Sequence, residues 1–244
     1  MGTSNEKKAD SPRRGGGRLV VMAKAPRLGG VKTRLAQSLP VEAVTELYSC
    51  LLDDTLALVR SLSTVEVAIM CPALDVEELT RFTRGGVSIV AQKGEGLAAG
   101  LTSVFAHFAV SGGQRVVAFN SDSPHLPVSV LENAFEALTW HDVVVGPTHD
   151  GGYYLVGAKA AHPALFDANG MGTQTALDGL LARARSLQLS VGCTDRFYDI
   201  DVEDDLTQLA GELRIAPDRA LRTAAWLEQW ERTAAQARTR TVDS

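Results

Sequence analysis

Along the chain, short unbroken apolar runs alternate with longer stretches whose apolar residues recur at helical spacing. The run 18–24, Arg-Leu-Val-Val-Met-Ala-Lys, has strand length, and its continuous apolar character suits a strand buried on both faces of a parallel sheet. From Val41 to about Leu62, residues Val44, Leu47, Leu51, Leu52, Leu56 and Val59 fall on one helical stripe. The alternation continues with a strand over 65–71, a helix over 76–84, a strand over 87–91 and a helix over 97–108. A strand over 116–121 and a helix over 127–138 follow, then two short strands, 142–146 and 153–157, around the turn His149-Asp-Gly-Gly152. A helix over 173–186, a late strand over 189–192 and helices over 203–213 and 220–235 complete the series. Such a pattern predicts an α/β fold, a mainly parallel mixed sheet with helices on both faces. With no repeat of solenoid period, residues 18–238 read as a single Rossmann-like domain. Residues 1–17 read as a disordered basic tail and 239–244 as a frayed end.

Charge narrows the function. A formal net charge of −5 argues against a general nucleic-acid binder, which needs a basic stripe to neutralise phosphates. Any basic residues that matter should be local and aimed at a small anion. No run reaches the ~18 apolar residues of a membrane helix, and the polar start lacks the apolar core of a signal peptide, so a cytoplasmic protein is expected. Cys50, Cys71 and Cys193 match no metal spacing and read as buried free thiols. The histidines form no HxxxH pair, and no Ser/His/Asp arrangement stands out.

In an open α/β sheet ligands bind at the carboxyl ends of the strands, so those ends were inspected for polar groups that packing cannot explain. The segment 24–34, Lys-Ala-Pro-Arg-Leu-Gly-Gly-Val-Lys-Thr-Arg, follows the first strand. Glycines let backbone N–H groups approach an anion and cations offset phosphate charge, although GxxxxGK[ST] and GxGxxG are both unmatched. Lys24, Gly29, Gly30, Lys32 and Arg34 are therefore candidates for phosphate binding, against the plainer reading of a solvated turn. Asp122 follows the 116–121 strand; it is a candidate Mg²⁺ ligand, with helix N-capping as its rival. Asp150, Gly151, Gly152 and Tyr153 are either a hairpin turn or a binding surface. Asp199 and Asp201 alternate around Ile200 and would point the same way in extended chain. One of them could complete a metal site with Asp122, or Asp201 could cap the helix that follows. Gly94 and Gly96 interrupt a helix entry and could lie against a base or an acceptor. Thr173 and Thr175 offer hydroxyls at a helix start, where capping is the bland alternative.

Four segments together resemble a known family: Gly30-Val-Lys-Thr-Arg-Leu35, Ser121-Asp-Ser-Pro124, Asp150-Gly-Gly-Tyr-Tyr-Leu-Val-Gly157, and Tyr198-Asp-Ile-Asp201 with Glu203-Asp-Asp-Leu206. In this order they are similar to the bacterial DUF2064 group, also called radical-SAM/selenodomain-associated transferase 1, within the GT-A nucleotide-diphospho-sugar transferases. The resemblance covers about residues 18–210. It implies that Asp122 is the metal-binding aspartate, that Asp201 (with Asp199 competing) is the second, and that Lys24, Lys32 and Arg34 grip a nucleotide's phosphates. It implies Mg²⁺, or Mn²⁺, as cofactor. Departures lie on the acceptor side: Gly96-Leu-Ala-Ala-Gly-Leu101 resembles the G-L-N-x-A-L of phospholactate guanylyltransferases, His149 stands where relatives carry an acid, and Met171-Gly172 replaces Trp-Ser.

The function expected is nucleotidyl transfer from an NTP to a phosphorylated, sugar phosphate-like acceptor with release of pyrophosphate, Lys32, Arg34 and Asp122 being catalytic. Alternatives are a glycosyltransferase using an NDP-sugar and a non-catalytic nucleotide-binding protein. The partners expected are a nucleotide and a small-molecule acceptor held by Asp150, Gly151, Gly152, Tyr153, Thr173 and Thr175, with no nucleic acid or membrane. A homodimer is left open.

Overall fold

The computed structural model describes residues 16–109, 114–167 and 171–242. The expected basic tail lies outside these residues apart from Gly16 and Gly17. A seven-stranded sheet has the order β3-β2-β1-β4-β6-β5-β7, from β1 (Gly17–Met22), β2 (Val65–Cys71), β3 (Ser88–Ala91), β4 (Val116–Phe119), β5 (Val143–Pro147), β6 (Tyr153–Ala158) and β7 (Val191–Cys193). β1 runs parallel to β2 and β4, and β2 parallel to β3; β6 is antiparallel to both β4 and β5, and β5 is parallel to β7. The expected mixed, mainly parallel sheet is therefore present, with β6 reversed.

Alternate residues of β1 explain why helices are needed on both faces, because successive side chains of a strand point to opposite sides. Leu19 and Val21 pack with Leu52, Leu56 and Val59 of α1 (Val41–Arg60) and with Val130, Leu131, Ala134 and Leu138 of α4 (Val128–Trp140). Val20 faces the other way, toward Leu101, Val104 and Phe105 of α3 (Gly96–Phe108) and Leu180 and Ala184 of α5 (Ala176–Ser186). The remaining face of α1, Val44, Leu47 and Leu51, packs on α6 (Glu203–Ile215) and α7 (Leu221–Val242) through Leu209, Leu213 and Leu227, with Ile200 ahead of α6 in the same cluster. All six residues of the expected α1 stripe are fully buried.

Several boundaries differ. The helix expected over 76–84 is a single turn, α2 (Val76–Leu79), between 3₁₀ turns at 73–75 and 80–82. The chain at 173–175 stays outside α5, and α7 continues to Val242, beyond the expected end at residue 235. Of the cysteines expected to be buried, only Cys71 is: Cys50 is half-buried and Cys193, on the edge strand β7, is exposed. His107, on α3, is also exposed. Among the described residues no helix is long and apolar enough to cross a membrane.

Candidate functional site

Asp122 sits on the loop after β4. The residue in the N-cap position of α4 is Pro127, so the capping role that competed for Asp122 does not apply. Asp201 is released from capping in a different way. The residue at the N-cap of α6 is Val202, and Asp205 reaches back to accept hydrogen bonds from the backbone N–H groups of Val202 and Asp201, each at 2.9 Å. One carboxylate thus satisfies the helix start, leaving the Asp201 side chain to face Lys32.

Lys32 joins the two aspartates. Its Nζ donates to Asp122 Oδ2 and, at 3.0 Å, to Asp201 Oδ1, and its side chain is only 6% exposed. Burial works against the ammonium charge, but Asp122 and Asp201 more than offset it and hold the Lys32 pKa above the ordinary lysine value. The backbone of Lys32 has φ +46°, a left-handed conformation that costs a non-glycine residue about 1–3 kcal/mol and clusters at functional sites. Arg34 Nη1 lies 3.5 Å from the other oxygen of Asp201.

Asp199 is the third carboxylate of the cluster. It accepts hydrogen bonds from Asn120 Nδ2 at 2.8 Å and from the Ser123 hydroxyl at 3.3 Å. Burial and the neighbouring Asp122 push its pKa up to about 8, against the opposite pull of Lys32. Behind the cluster, Tyr48 of α1 ties the two loops together. Its hydroxyl accepts from the Lys24 backbone N–H at 3.1 Å and shares a hydrogen bond with Ser121 Oγ at 3.0 Å.

A cleft of about 670 Å³ adjoins the cluster, lined in part by Arg34, Asp199 and Asp201 and on its far wall by Thr148, Asp150, Thr173 and Thr175. The turn that carries Asp150 is held from inside. Thr148 Oγ1 and the Gly152 N–H donate to Asp150 Oδ1 at 2.5 and 3.1 Å. Burial alone would raise the Asp150 pKa, but these bonds outweigh it and hold the carboxyl below its usual range. Gly151 has φ +88°, and a Cβ there would meet the Gln174 carbonyl oxygen at 2.0 Å. The Gly151 carbonyl in turn accepts from the Leu177 N–H at 3.0 Å, joining the turn to the start of α5. A second hollow of about 550 Å³ lies at the opposite end of the sheet, beside Arg18, Arg60 and Glu66. Ligands of parallel sheets bind at the carboxyl ends of strands, which favours the first.

The structure brings together Lys32, Arg34, Asp122, Asp199 and Asp201, with Asp150, Thr173 and Thr175 across the cleft. It does not bring in every candidate. Tyr153 turns inward and its hydroxyl donates to Met171 Sδ at 3.1 Å. Gly151 and Gly152 shape the turn and are absent from the cleft lining, as are Lys24, Gly29, Gly30, Gly94 and Gly96. Lys24 is exposed. Gly29, Gly94 and Gly96 adopt positive φ with open space where a Cβ would go, except that Ala99 lies 3.1 Å from the Gly94 position. Arg27 of the same loop pairs with Asp75 and Glu78. Sequence reasoning missed Tyr48, Asn120, Thr148, Gln174 and the helix-start role of Asp205. Of these only Asp205 carried a signal, a carboxylate three residues after the N-cap.

A divalent metal fits the carboxylates. Asp122 Oδ1 is buried and has no hydrogen-bond partner, an arrangement that is costly for a carboxylate oxygen unless a cation or donor satisfies it. Carboxylate oxygens are the hard donors that Mg²⁺ and Mn²⁺ take. Among the described residues no group of three or more His, Cys, Asp or Glu side chains is placed to hold a metal on its own. Mg²⁺ characteristically takes one or two carboxylates together with substrate phosphates.

Comparison with known proteins follows the same line. The model of a family described as an uncharacterized protein conserved in bacteria, DUF2064, matches residues 55–173. A Desulfovibrio desulfuricans G20 protein assigned as a nucleotide-diphospho-sugar transferase superposes with TM-score 0.79 at 24% identity, over 90% of this chain and 97% of that one. The 4-diphosphocytidyl-2C-methyl-D-erythritol synthase of Anaerococcus prevotii DSM 20548 gives TM-score 0.55 at 10% identity, over 82% and 98%. The inositol-1-phosphate CTP transferase of T. maritima gives 0.55 at 14%, over 78% and 91%. A search of curated proteins finds no match. The family match contains Asp122 and the Asp150 turn and stops short of the Lys32 and Asp201 segments. The chain thus carries a DUF2064 region, the family to which its motifs pointed, on the α/β fold of nucleotide-diphospho-sugar and nucleotidyl transferases.

Proposed function

We propose that the protein is a metal-dependent transferase acting on a nucleotide, and that its reaction is nucleotidyl transfer from an NTP to a phosphorylated small-molecule acceptor. The observation that carries this reading is the convergence of Lys32, Asp122 and Asp201 from three loops, with one Asp122 oxygen buried and unpartnered. Asp122 and Asp201 would hold Mg²⁺ or Mn²⁺, with Asp199 beside them. Bound there, the ion would supply charge stabilisation to the phosphates. An acceptor phosphate oxygen forms the new bond to the α-phosphorus while the bond to the bridging oxygen breaks, and pyrophosphate leaves with the electron pair. Lys32 and Arg34 stabilise the departing charge, and the cleft wall of Asp150, Thr173 and Thr175 orients the acceptor. Chemistry of this kind rests on positioning and electrostatics and needs no protein nucleophile. The fold shared with two cytidylyl-transferring enzymes supports the reading.

One observation favours a second reading, glycosyl transfer from an NDP-sugar. The cleft wall offers carboxylates and hydroxyls, and Arg34 is its one lysine or arginine among the lining residues. A surface of that kind suits a neutral hydroxyl-bearing acceptor better than a dianionic phosphate. Incubating the protein with each NTP, Mg²⁺ and a panel of sugar phosphates, with pyrophosphate as readout, tests the first reading. NDP release from NDP-sugars without any pyrophosphate signal would select the second. Asp122→Asn should abolish either activity while leaving the circular dichroism spectrum unchanged; an unaffected rate would remove Asp122 from the mechanism.

A further inference from the structure

We infer that the Lys32 ammonium and the divalent metal are alternative occupants of the Asp122–Asp201 pair, so that metal entry requires Lys32 to swing away. The inference rests on the metal site proposed above.

Three observations lead to it. Lys32 Nζ contacts one oxygen of each aspartate, Asp122 Oδ2 and Asp201 Oδ1. A divalent cation held by these two carboxylates would lie close to the Lys32 ammonium, and two cations at such short range repel strongly. The Asp122 oxygen that Lys32 leaves unused is buried without a partner, so the ammonium satisfies the site only in part. Lys32 also reaches the pair from a left-handed backbone at φ +46°, a strained conformation that the surrounding contacts must hold.

The displaced ammonium needs a new anionic partner, and a nucleotide phosphate arriving with the metal provides one. Metal alone must break the Lys32–aspartate contacts without compensation. Metal with a nucleotide exchanges them for Lys32–phosphate contacts. Lys32 is thus a positioning residue in the resting protein and a phosphate ligand in the loaded one, and the two ligands bind with positive coupling.

The test is Mn²⁺ binding to the full chain without nucleotide, followed by the electron paramagnetic resonance of free Mn²⁺, for the wild type, Lys32→Met and Lys32→Arg. Removing the competing charge should tighten Mn²⁺ binding about tenfold in Lys32→Met, within the range usual for coupled sites, while Lys32→Arg should stay near wild type. The Mn²⁺-induced rise in unfolding temperature is a second readout, larger for Lys32→Met, and it serves even when that variant is unstable without metal. Equal or weaker Mn²⁺ binding by Lys32→Met, with wild-type binding intact, would overturn this inference and leave the metal site standing. Absence of Mn²⁺ binding from every variant, with and without a nucleoside diphosphate, would overturn the metal site as well.

Discussion

Tyr48→Phe removes one oxygen atom, and its expected cost follows from what that atom touches. The residue is 4% exposed and stays packed in α1 as phenylalanine, so the change is confined to the hydroxyl. That hydroxyl accepts from the Lys24 N–H and bonds to Ser121, itself 6% exposed. Loss of two hydrogen bonds at about 1 kcal/mol each, with a buried partner left unsatisfied, gives a destabilisation of about 2–3 kcal/mol. For a chain of this size each kcal/mol lowers the melting temperature by about 2–4 °C, so a fall of about 4–12 °C is expected in calorimetry. Ser121→Ala removes only one of these bonds and should cost about 1 kcal/mol. The double variant should fall short of the sum by about 1 kcal/mol, because the two residues share a contact. A Tyr48→Phe loss below about 0.5 kcal/mol, the ordinary scatter of surface substitutions, would refute the reasoning. It would mean that the loop after β1 and the Asp122 loop are not joined through this hydroxyl.

Two further outcomes are expected. Two groups, the half-buried Asp199 and the buried His125, titrate in opposite senses in the metal-free protein. Asp199 is raised to about 8, so its contribution is present below the unfolded value near 4 and is lost as pH rises through about 8. Burial depresses His125 from 6.5 to about 4, so its contribution is present above 6.5 and is lost as pH falls toward 4. The two oppose each other between about 4 and 6.5, and above 6.5 the decline due to Asp199 remains. In urea titrations with EDTA, Asp199→Asn should flatten the loss above pH 6.5, and an unchanged slope would discount the Asp199 assignment. Gly151→Ala combines φ +88° with a clash against the Gln174 carbonyl. It should cost more than about 2 kcal/mol and alter the cleft wall, and a variant within about 0.5 kcal/mol of wild type would contradict the geometry.

The sheet was legible because its strands are apolar runs of the right length and its helices carry clean stripes; the α1 stripe is buried residue for residue. Lys32, Asp122 and Asp201 were legible as polar residues at strand and helix ends that packing does not explain. The way they meet was not, because convergence of three loops on one lysine is set by tertiary packing, and the local signal at Asp205 does not by itself say that the Asp201 side chain turns to Lys32. Tyr153 could not be placed from sequence because a tyrosine after two glycines looks the same whether it faces a ligand or Met171. Tyr48 was invisible for a related reason: a tyrosine on the buried side of an amphipathic helix reads as core, and only the tertiary contact shows the use of its hydroxyl.

The reversal of β6 has a consequence for how specificity can change. Because β6 runs back beside β5, the link between them is a five-residue hairpin tip, residues 148–152, lying at the end of the sheet where the parallel strands deliver Lys32 and Asp122. A parallel strand there would have required a long crossover. One wall of the cleft is therefore a tip that can be lengthened or recoloured with little disturbance to the ladder beneath it, while the carboxylates and the lysine stand on separate loops. If the proposed roles hold, choice of acceptor and handling of phosphate are mechanically uncoupled, and grafting a different tip onto this chain should redirect what is modified without rebuilding how the nucleotide is held.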